Sequence, residues 1–100
     1  MHLFVDISSH GYGHLAIAAP ILGALADACP NLRLTVRSAL PEAKLRERIP
    51  LPFALISGSS DFGYVMHDAL SIDRESTARA YRAAHADWPA VVAAEARLLE

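Results

Sequence analysis

The chain has 100 residues, of which 53% are hydrophobic and 20% are charged, and its formal net charge is −2. This charge gives no electrostatic reason to expect nucleic acid or an anionic membrane surface as a partner. The single cysteine, Cys29, excludes an internal disulfide and fits a reducing compartment, so we expect a cytoplasmic protein. No stretch reaches about 18 uninterrupted apolar residues, and we therefore expect no membrane span.

The first predicted element is a strand from Leu3 to Ile7, mostly apolar as in a parallel sheet that is covered on both faces. An apolar helical pattern follows it after a short polar loop. Ile17, Ile21, Leu25 and Ala28 are spaced to lie on one face of that helix, which we predict to be its buried face.

Pro20 limits where this helix can begin, because proline lacks an N–H and clashes with the carbonyl four residues earlier. Proline is well tolerated in the first turn of a helix. We therefore expect the helix to begin near Ile17 and the preceding loop to extend past His14, which would then lie at the helix entrance. Cys29-Pro30-Asn31 ends the helix.

The rest of the chain continues the alternation of strand and helix. A stretch in which apolar and polar residues alternate predicts a second strand. A charged stretch that begins with proline predicts a short helix, and the apolar stretch after it predicts a third strand. A polar loop then leads to a helix capped by Ser71, and a break at Asp87-Trp88-Pro89 separates it from the last helix. In chain order these elements are the strand 32–36, the helix 41–49, the strand 51–56, the loop 57–68, and the helices 72–86 and 91–100.

This order predicts an α/β fold with a short parallel sheet of about three strands and right-handed crossovers. We describe it as a partial Rossmann-like three-layer α/β/α arrangement in which residues 1–100 form one domain. Three strands are few for such a sheet, because its two faces and its edge strands must be shielded from solvent by other elements. We therefore expect the domain to be incomplete, so that a missing C-terminal domain or a second copy of the chain supplies the cover.

The loop between the first strand and the first helix carries the candidate binding residues. A strand that turns through glycines into a helix presents free backbone N–H groups and the positive end of a helix dipole. Such a point attracts phosphate or another anion. The predicted substrate- or phosphate-binding residues are Ser8, Ser9, His10, Gly11, Tyr12 and Gly13.

Two other interpretations of this loop are weaker. The segment Gly11–Ala16 fits the G-x-G-x-x-A pattern of dinucleotide sites, but no acidic residue closes the second strand, where Arg37 and Ser38 stand instead. His10 and His14 are four residues apart, but the glycines between them oppose the helix that a metal pair needs. We expect neither a metal nor another cofactor.

His14 is the predicted catalytic residue. A neutral imidazole at a helix N-terminus is available as a general base near neutral pH, because the helix dipole disfavours its charged form. The alternative is a histidine that only caps or packs against the start of the helix.

The string His10-Gly11-Tyr12-Gly13-His14, behind a strand and ahead of an apolar helix, resembles the N-terminal domain of GT-B-fold glycosyltransferases. It is most similar to the glycosyltransferase-like N-terminal region of arabinokinases and their bacterial relatives. A second stretch with the same resemblance runs from Asp61-Phe62-Gly63-Tyr64 to Asp68-Ala69-Leu70-Ser71-Ile72-Asp73-Arg74. One departure is Ile17, which stands where the arabinokinase-like members have an arginine.

The resemblance implies that residues 1–100 hold the acceptor side of a glycosyltransferase and are not active alone. A sugar would pass from a nucleotide-sugar to a hydroxyl acceptor, with His14 as the base and Asp61 or Asp68 as the carboxylate that supports it. Each aspartate has an equally good interpretation as a turn former. A non-catalytic module that binds a sugar phosphate or nucleotide, and an isolated self-associating folding fragment, remain as alternatives.

Overall fold

The computed structural model describes all residues from Met1 to Glu100 and divides them into two compact units, Met1–Asp61 and Phe62–Glu100. The chain is mixed α/β, as predicted. The first unit contains β1 (His2–Asp6), α1 (Gly13–Ala28), β2 (Arg33–Ser38), α2 (Glu42–Arg48) and β3 (Ala54–Ser57), and the second contains α3 (Arg74–His85) and α4 (Trp88–Leu99). The prediction that residues 1–100 form one domain stays a prediction.

The three strands form one parallel sheet in the order β1-β2-β3, which confirms the predicted small parallel sheet. Leu3 lies opposite Leu34 in the first pair, and Val36 lies opposite Leu55 in the second. Every strand lies within three residues of its predicted bounds at each end. The third begins later than predicted, at Ala54, after the Pro52 that cannot donate to a ladder.

Both helices of the first unit pack on one face of this sheet. Buried side chains of α1 and α2, with Leu15 and Leu45 almost fully enclosed, share one core with Leu34 and Val36 of the central strand. Monotonic strand order with right-handed crossovers places consecutive helices on the same face. The unit Met1–Asp61 taken by itself therefore has two layers, one of sheet and one of helices.

The start of α1 differs from the prediction. The helix begins at Gly13 rather than near Ile17, so that Pro20 lies inside it and not in its first turn. Proline then costs one backbone hydrogen bond, because residue 20 has no N–H to donate to the carbonyl of Ala16. Burial of the helix against the sheet outweighs this loss. His14 therefore lies inside the first turn of the helix and not in the loop before it, although it remains close to the helix entrance.

The predicted buried face of α1 was also wrong. Leu15, Ala19 and Leu22 enter the core, whereas Ile17 and Ile21 are 66% and 55% exposed. The buried residues and the predicted residues both have helical spacing, and α1 is apolar around most of its circumference. Periodicity therefore could not decide between the two faces, and the sheet selected the one with smaller side chains at its centre.

The second unit consists of the two helices and the loop before them. Asp73, not Ser71, caps α3, because its Oδ1 accepts a hydrogen bond of 2.9 Å from the N–H of Ser76. Ser71 is used elsewhere, since its carbonyl accepts from the N–H of His67 in a small antiparallel bridge. Asp87 caps α4 in the same way at the predicted break, and α4 begins at Trp88, three residues earlier than predicted. Neither helix has a fully buried residue.

Candidate functional site

The loops that follow β1 and β3 begin at the same end of the sheet, where the carboxyl ends of the parallel strands lie. In a parallel sheet the carboxyl ends of the strands lie together, and this edge is where open α/β sheets bind ligands. The loop 8–12 leaves β1 here and leads into α1, while the loop 58–61 leaves β3. The predicted binding residues of the first loop therefore lie at the edge where a ligand site is expected.

The first turn of α1 has no side-chain cap. Tyr12 occupies the N-cap position without forming a side-chain hydrogen bond, and the first turn holds no acidic residue. Gly11, with φ of 87°, makes the turn that admits this geometry, and its N–H donates to the carbonyl of Ser9. The opening N–H groups of α1 are consequently free to bind an anion.

The side chain of His14 is exposed in this first turn and forms no hydrogen bond or ion pair. It lines a shallow concavity of about 300 Å³ together with Asp6 and Ser8 at the end of β1. Side chains of α1 and β1 complete the concavity. An imidazole in this position can reach a bound ligand without first breaking an internal contact.

The loop after β3 supplies a carboxylate to the loop after β1. Oδ2 of Asp61 lies 3.5 Å from Nε2 of His10, and the two side chains are 46% and 42% exposed. The Oγ atom of Ser59 lies 2.5 Å from the other carboxylate oxygen of Asp61 and fixes its orientation. The structure thus pairs Asp61 with His10, whereas the sequence predicted that it would support His14.

The Ser59 hydroxyl is the main reason that the pKa of the Asp61 carboxyl lies below its ordinary value of 3.8. Burial opposes this effect, and the nearby Ser8 hydroxyl and the charge of His10 add to it. Asp61 is therefore a carboxylate at neutral pH, as a group that stabilises an imidazolium must be.

Asp68, the other predicted carboxylate, lies in the second unit and behaves as a turn former. Its Oδ1 accepts a hydrogen bond of 2.8 Å from the N–H of Leu70. This bond, with a smaller contribution from Ser71, lowers the pKa of Asp68. The interaction is the local Asx type, which is the alternative that the sequence already offered for this residue.

Two cations beside the loop were not predicted from the sequence. Lys44 and Arg48 of α2 line a second concavity, of about 230 Å³, with Tyr12 and the start of α1. Lys44 is paired with Glu47 at 3.1 Å, while Arg48 forms none of the ion pairs of α2. Their i, i+4 spacing on the predicted helix 41–49 was the available signal, because it places both on one face.

The structure contains no group of three or more histidine, cysteine, aspartate or glutamate side chains placed to hold a metal ion. None of its helices is both long enough and apolar enough to cross a membrane. Comparisons with known protein families, curated proteins and solved structures find no match for the chain.

Proposed function

We propose that the chain is the acceptor-side part of a glycosyltransferase, which transfers a sugar from a nucleotide-sugar to a hydroxyl acceptor and needs a donor-binding domain to do so. The observation that carries this proposal is the His10–Asp61 pair beside the uncapped start of α1. The finer fold assignment, the first part of a three-layer GT-B N-terminal domain, belongs to the same proposal. The β-α-β-α-β order and the parallel sheet support it.

The reaction is a single displacement at the anomeric carbon. The acceptor hydroxyl gives its proton to an imidazole while its oxygen bonds to the anomeric carbon, and the bond from that carbon to the diphosphate breaks. The leaving diphosphate keeps the electron pair of the broken bond. The configuration at the anomeric carbon is inverted, because attack and departure occur on opposite sides.

The geometry favours His10 over His14 as the general base, because the Asp61 carboxylate lies beside His10 and can stabilise its imidazolium form. The sequence assigns this role to His14, and that assignment stays a prediction. His14 stands where the N–H groups of α1 are free, and it suits contact with the ligand's phosphate or hydroxyl groups. Separate substitution of the two histidines decides between these assignments.

Positive charge near the loop supports an anionic ligand. The free N–H groups of α1 carry the positive end of the helix dipole, and Lys44 and Arg48 face the same concavity as Tyr12. Together they offset the charge of a phosphate or diphosphate. The same observation favours the second candidate, a module that binds a sugar phosphate without catalysing any reaction.

The test combines the chain with a GT-B donor-binding domain and measures sugar transfer and ligand affinity for His10→Ala, His14→Ala and Asp61→Asn. We expect His10→Ala and Asp61→Asn to reduce transfer by about 100-fold or more while ligand affinity is retained. His67→Ala, a histidine of the second unit, is the control. Unchanged transfer in both histidine variants contradicts catalysis by this loop and leaves the binding module.

A further inference from the structure

Two concavities flank the first turn of α1 on different sides of the helix. One contains His14 and Ser8, and the other lies between α1 and α2 and shares no lining residue with the first. We call this second one, of about 230 Å³, the α1–α2 concavity. Its lining residues are Tyr12, Leu15, Ala16, Lys44 and Arg48. The start of α1 therefore separates a surface that carries an imidazole from a surface that carries two cations.

Arg48 is a cation of α2 that has no partner within the chain. The neighbouring Arg46 donates hydrogen bonds to Glu42 and to the carbonyl of Phe53. The guanidinium of Arg48, in contrast, forms no hydrogen bond or ion pair. A guanidinium carries five N–H donors in a planar fork, which can bind two oxygens of an oxyanion at once. Arg48 can therefore bind a ligand without first giving up an internal contact.

Lys44 lies one turn before Arg48 on the same side of α2, because residues four apart in a helix are neighbours. Its Nζ lies 3.1 Å from Oε2 of Glu47, but both of these side chains are more than half exposed. Exposed ion pairs contribute little to stability, so Lys44 can turn from Glu47 to a ligand at little cost. The α1–α2 concavity therefore offers two positive charges to one anion.

The remaining lining of the α1–α2 concavity suits the ring of a sugar. The side chain of Tyr12 is 53% exposed, and its hydroxyl forms no hydrogen bond within the chain. Tyr12 thus offers both a ring face and a polar group, while Leu15 and Ala16 add apolar surface. A sugar has apolar C–H faces and hydroxyls at its rim, so it can contact both kinds of surface.

The charge of the α1–α2 concavity favours a phosphate over a carboxylate. A phosphate monoester carries about −1.5 to −2 charges at neutral pH and has three acceptor oxygens. A carboxylate carries a single charge and two oxygens, which one guanidinium can satisfy. Arg48 and Lys44 together match the charge and the number of oxygens of a phosphate.

We propose that the α1–α2 concavity binds the phosphate group of a sugar-phosphate acceptor. This inference rests on the proposed function, in which this chain holds the acceptor and a separate domain holds the nucleotide-sugar. Arg48 and Lys44 bind the phosphate, and the sugar extends over Tyr12 toward the loop that carries the histidines. The two cations therefore determine specificity, because they select phosphorylated acceptors over neutral sugars.

Amide chemical shifts of the ¹⁵N-labelled full chain test this subsite with glucose 6-phosphate, glucose and inorganic phosphate as probes. Glucose 6-phosphate is expected to shift the amides of residues 12–16 and 44–48 saturably, with a Kd at least about tenfold below those of the other two probes. Arg48→Gln is expected to raise this Kd about tenfold or more, because it removes charge-assisted hydrogen bonds to the phosphate. Arg33→Gln, which removes an exposed arginine at the opposite end of the sheet, is the matched control and leaves the Kd unchanged.

Absent shifts at these amides, or equal Kd values for the two arginine variants, overturn the proposal. Glucose or inorganic phosphate that binds as tightly as glucose 6-phosphate also overturns it, because the concavity then does not recognise a sugar phosphate.

Sugar transfer, measured with the chain and a GT-B donor-binding domain, separates this proposal from the proposed function. A raised KM for glucose 6-phosphate with an unchanged kcat in Arg48→Gln supports the proposal. Transfer to glucose as efficient as transfer to glucose 6-phosphate overturns the proposal, while the transferase function stands. Binding that depends on Arg48 without transfer to any acceptor supports the phosphate subsite and overturns the transferase function alone.

Discussion

Nε2 of His10 lies 3.5 Å from Oδ2 of Asp61, so an imidazole from the loop after β1 faces a carboxylate from the loop after β3. The two residues are far apart in sequence, and the parallel strands bring them to one edge of the sheet. The pair is the chemically most capable arrangement in the first unit. The strength of this ion pair depends on the serine hydroxyl groups that hydrogen-bond to the Asp61 carboxylate.

Ser59→Ala is expected to raise the pKa of Asp61 more than Ser8→Ala does, because the Ser59 hydroxyl is the largest cause of the lowered value. Carboxyl NMR titration of the wild type and the two variants measures this order. The folded-state pKa is depressed, so the stability from Asp61 is present above its ordinary pKa of 3.8 and is lost as pH falls through the folded value. A larger effect from Ser8→Ala contradicts the assignment.

Gly11 and Gly13 are expected to respond oppositely to alanine. Gly11→Ala places a Cβ at φ of 87° and is expected to cost about 1–2 kcal/mol, although the added atom meets no neighbour. Gly13 starts a helix at negative φ with open space around it, so Gly13→Ala is expected to stabilise by about 0.4–1 kcal/mol. Urea denaturation measures both. Equal destabilisation contradicts the backbone geometry of this loop.

Asp73→Ala is expected to loosen the start of α3. The Asp73 carboxylate accepts from both the N–H and the hydroxyl of Ser76, and these bonds lower its pKa. Hydrogen exchange at the Ser76 amide is expected to become about fivefold faster. Asp73→Asn keeps an N-cap acceptor and serves as the control. If the alanine variant exchanges at the wild-type rate, Asp73 is not the cap.

Leu45→Ala is expected to destabilise the first unit by about 2–5 kcal/mol, because its side chain is 0% exposed and its removal leaves a cavity in the core. Leu70→Ala removes the same atoms from a side chain that is 94% exposed, and is expected to change stability by less than about 0.5 kcal/mol. Urea unfolding of the two variants gives the comparison. Similar losses for both leucines contradict the packing of α2 on the sheet.

The helices and strands could be predicted from the sequence better than the side-chain contacts between them. The bounds of α2 were predicted within two residues, because prolines flank the charged stretch at 41 and 50. The buried face of α1 was not predictable, since two apolar stripes compete and only the sheet selects Leu15, Ala19 and Leu22. The cap of α3 was missed because Ser71 and Asp73 are both good N-cap residues.

The candidate site was predictable only in part. The loop 8–14 stood out in the sequence because glycines and histidines separate a strand from a helix, and the structure places it at the carboxyl edge of the sheet. The partner of Asp61 depended on strand order and loop geometry, which no spacing in the sequence encodes. Lys44 and Arg48 reach the site through the packing of α2 beside α1.

Amide chemical-shift mapping tests the central claim most directly. The ¹⁵N-labelled chain is titrated with uridine and guanosine diphosphate sugars and with inorganic phosphate. The account predicts saturable shifts at the amides of residues 8–15 and 58–61, largest at Gly13 and His14, and stronger for a nucleotide-sugar than for phosphate. Shifts that are absent, or that are confined to other parts of the chain, contradict a site for a phosphate-bearing ligand at the carboxyl ends of the strands.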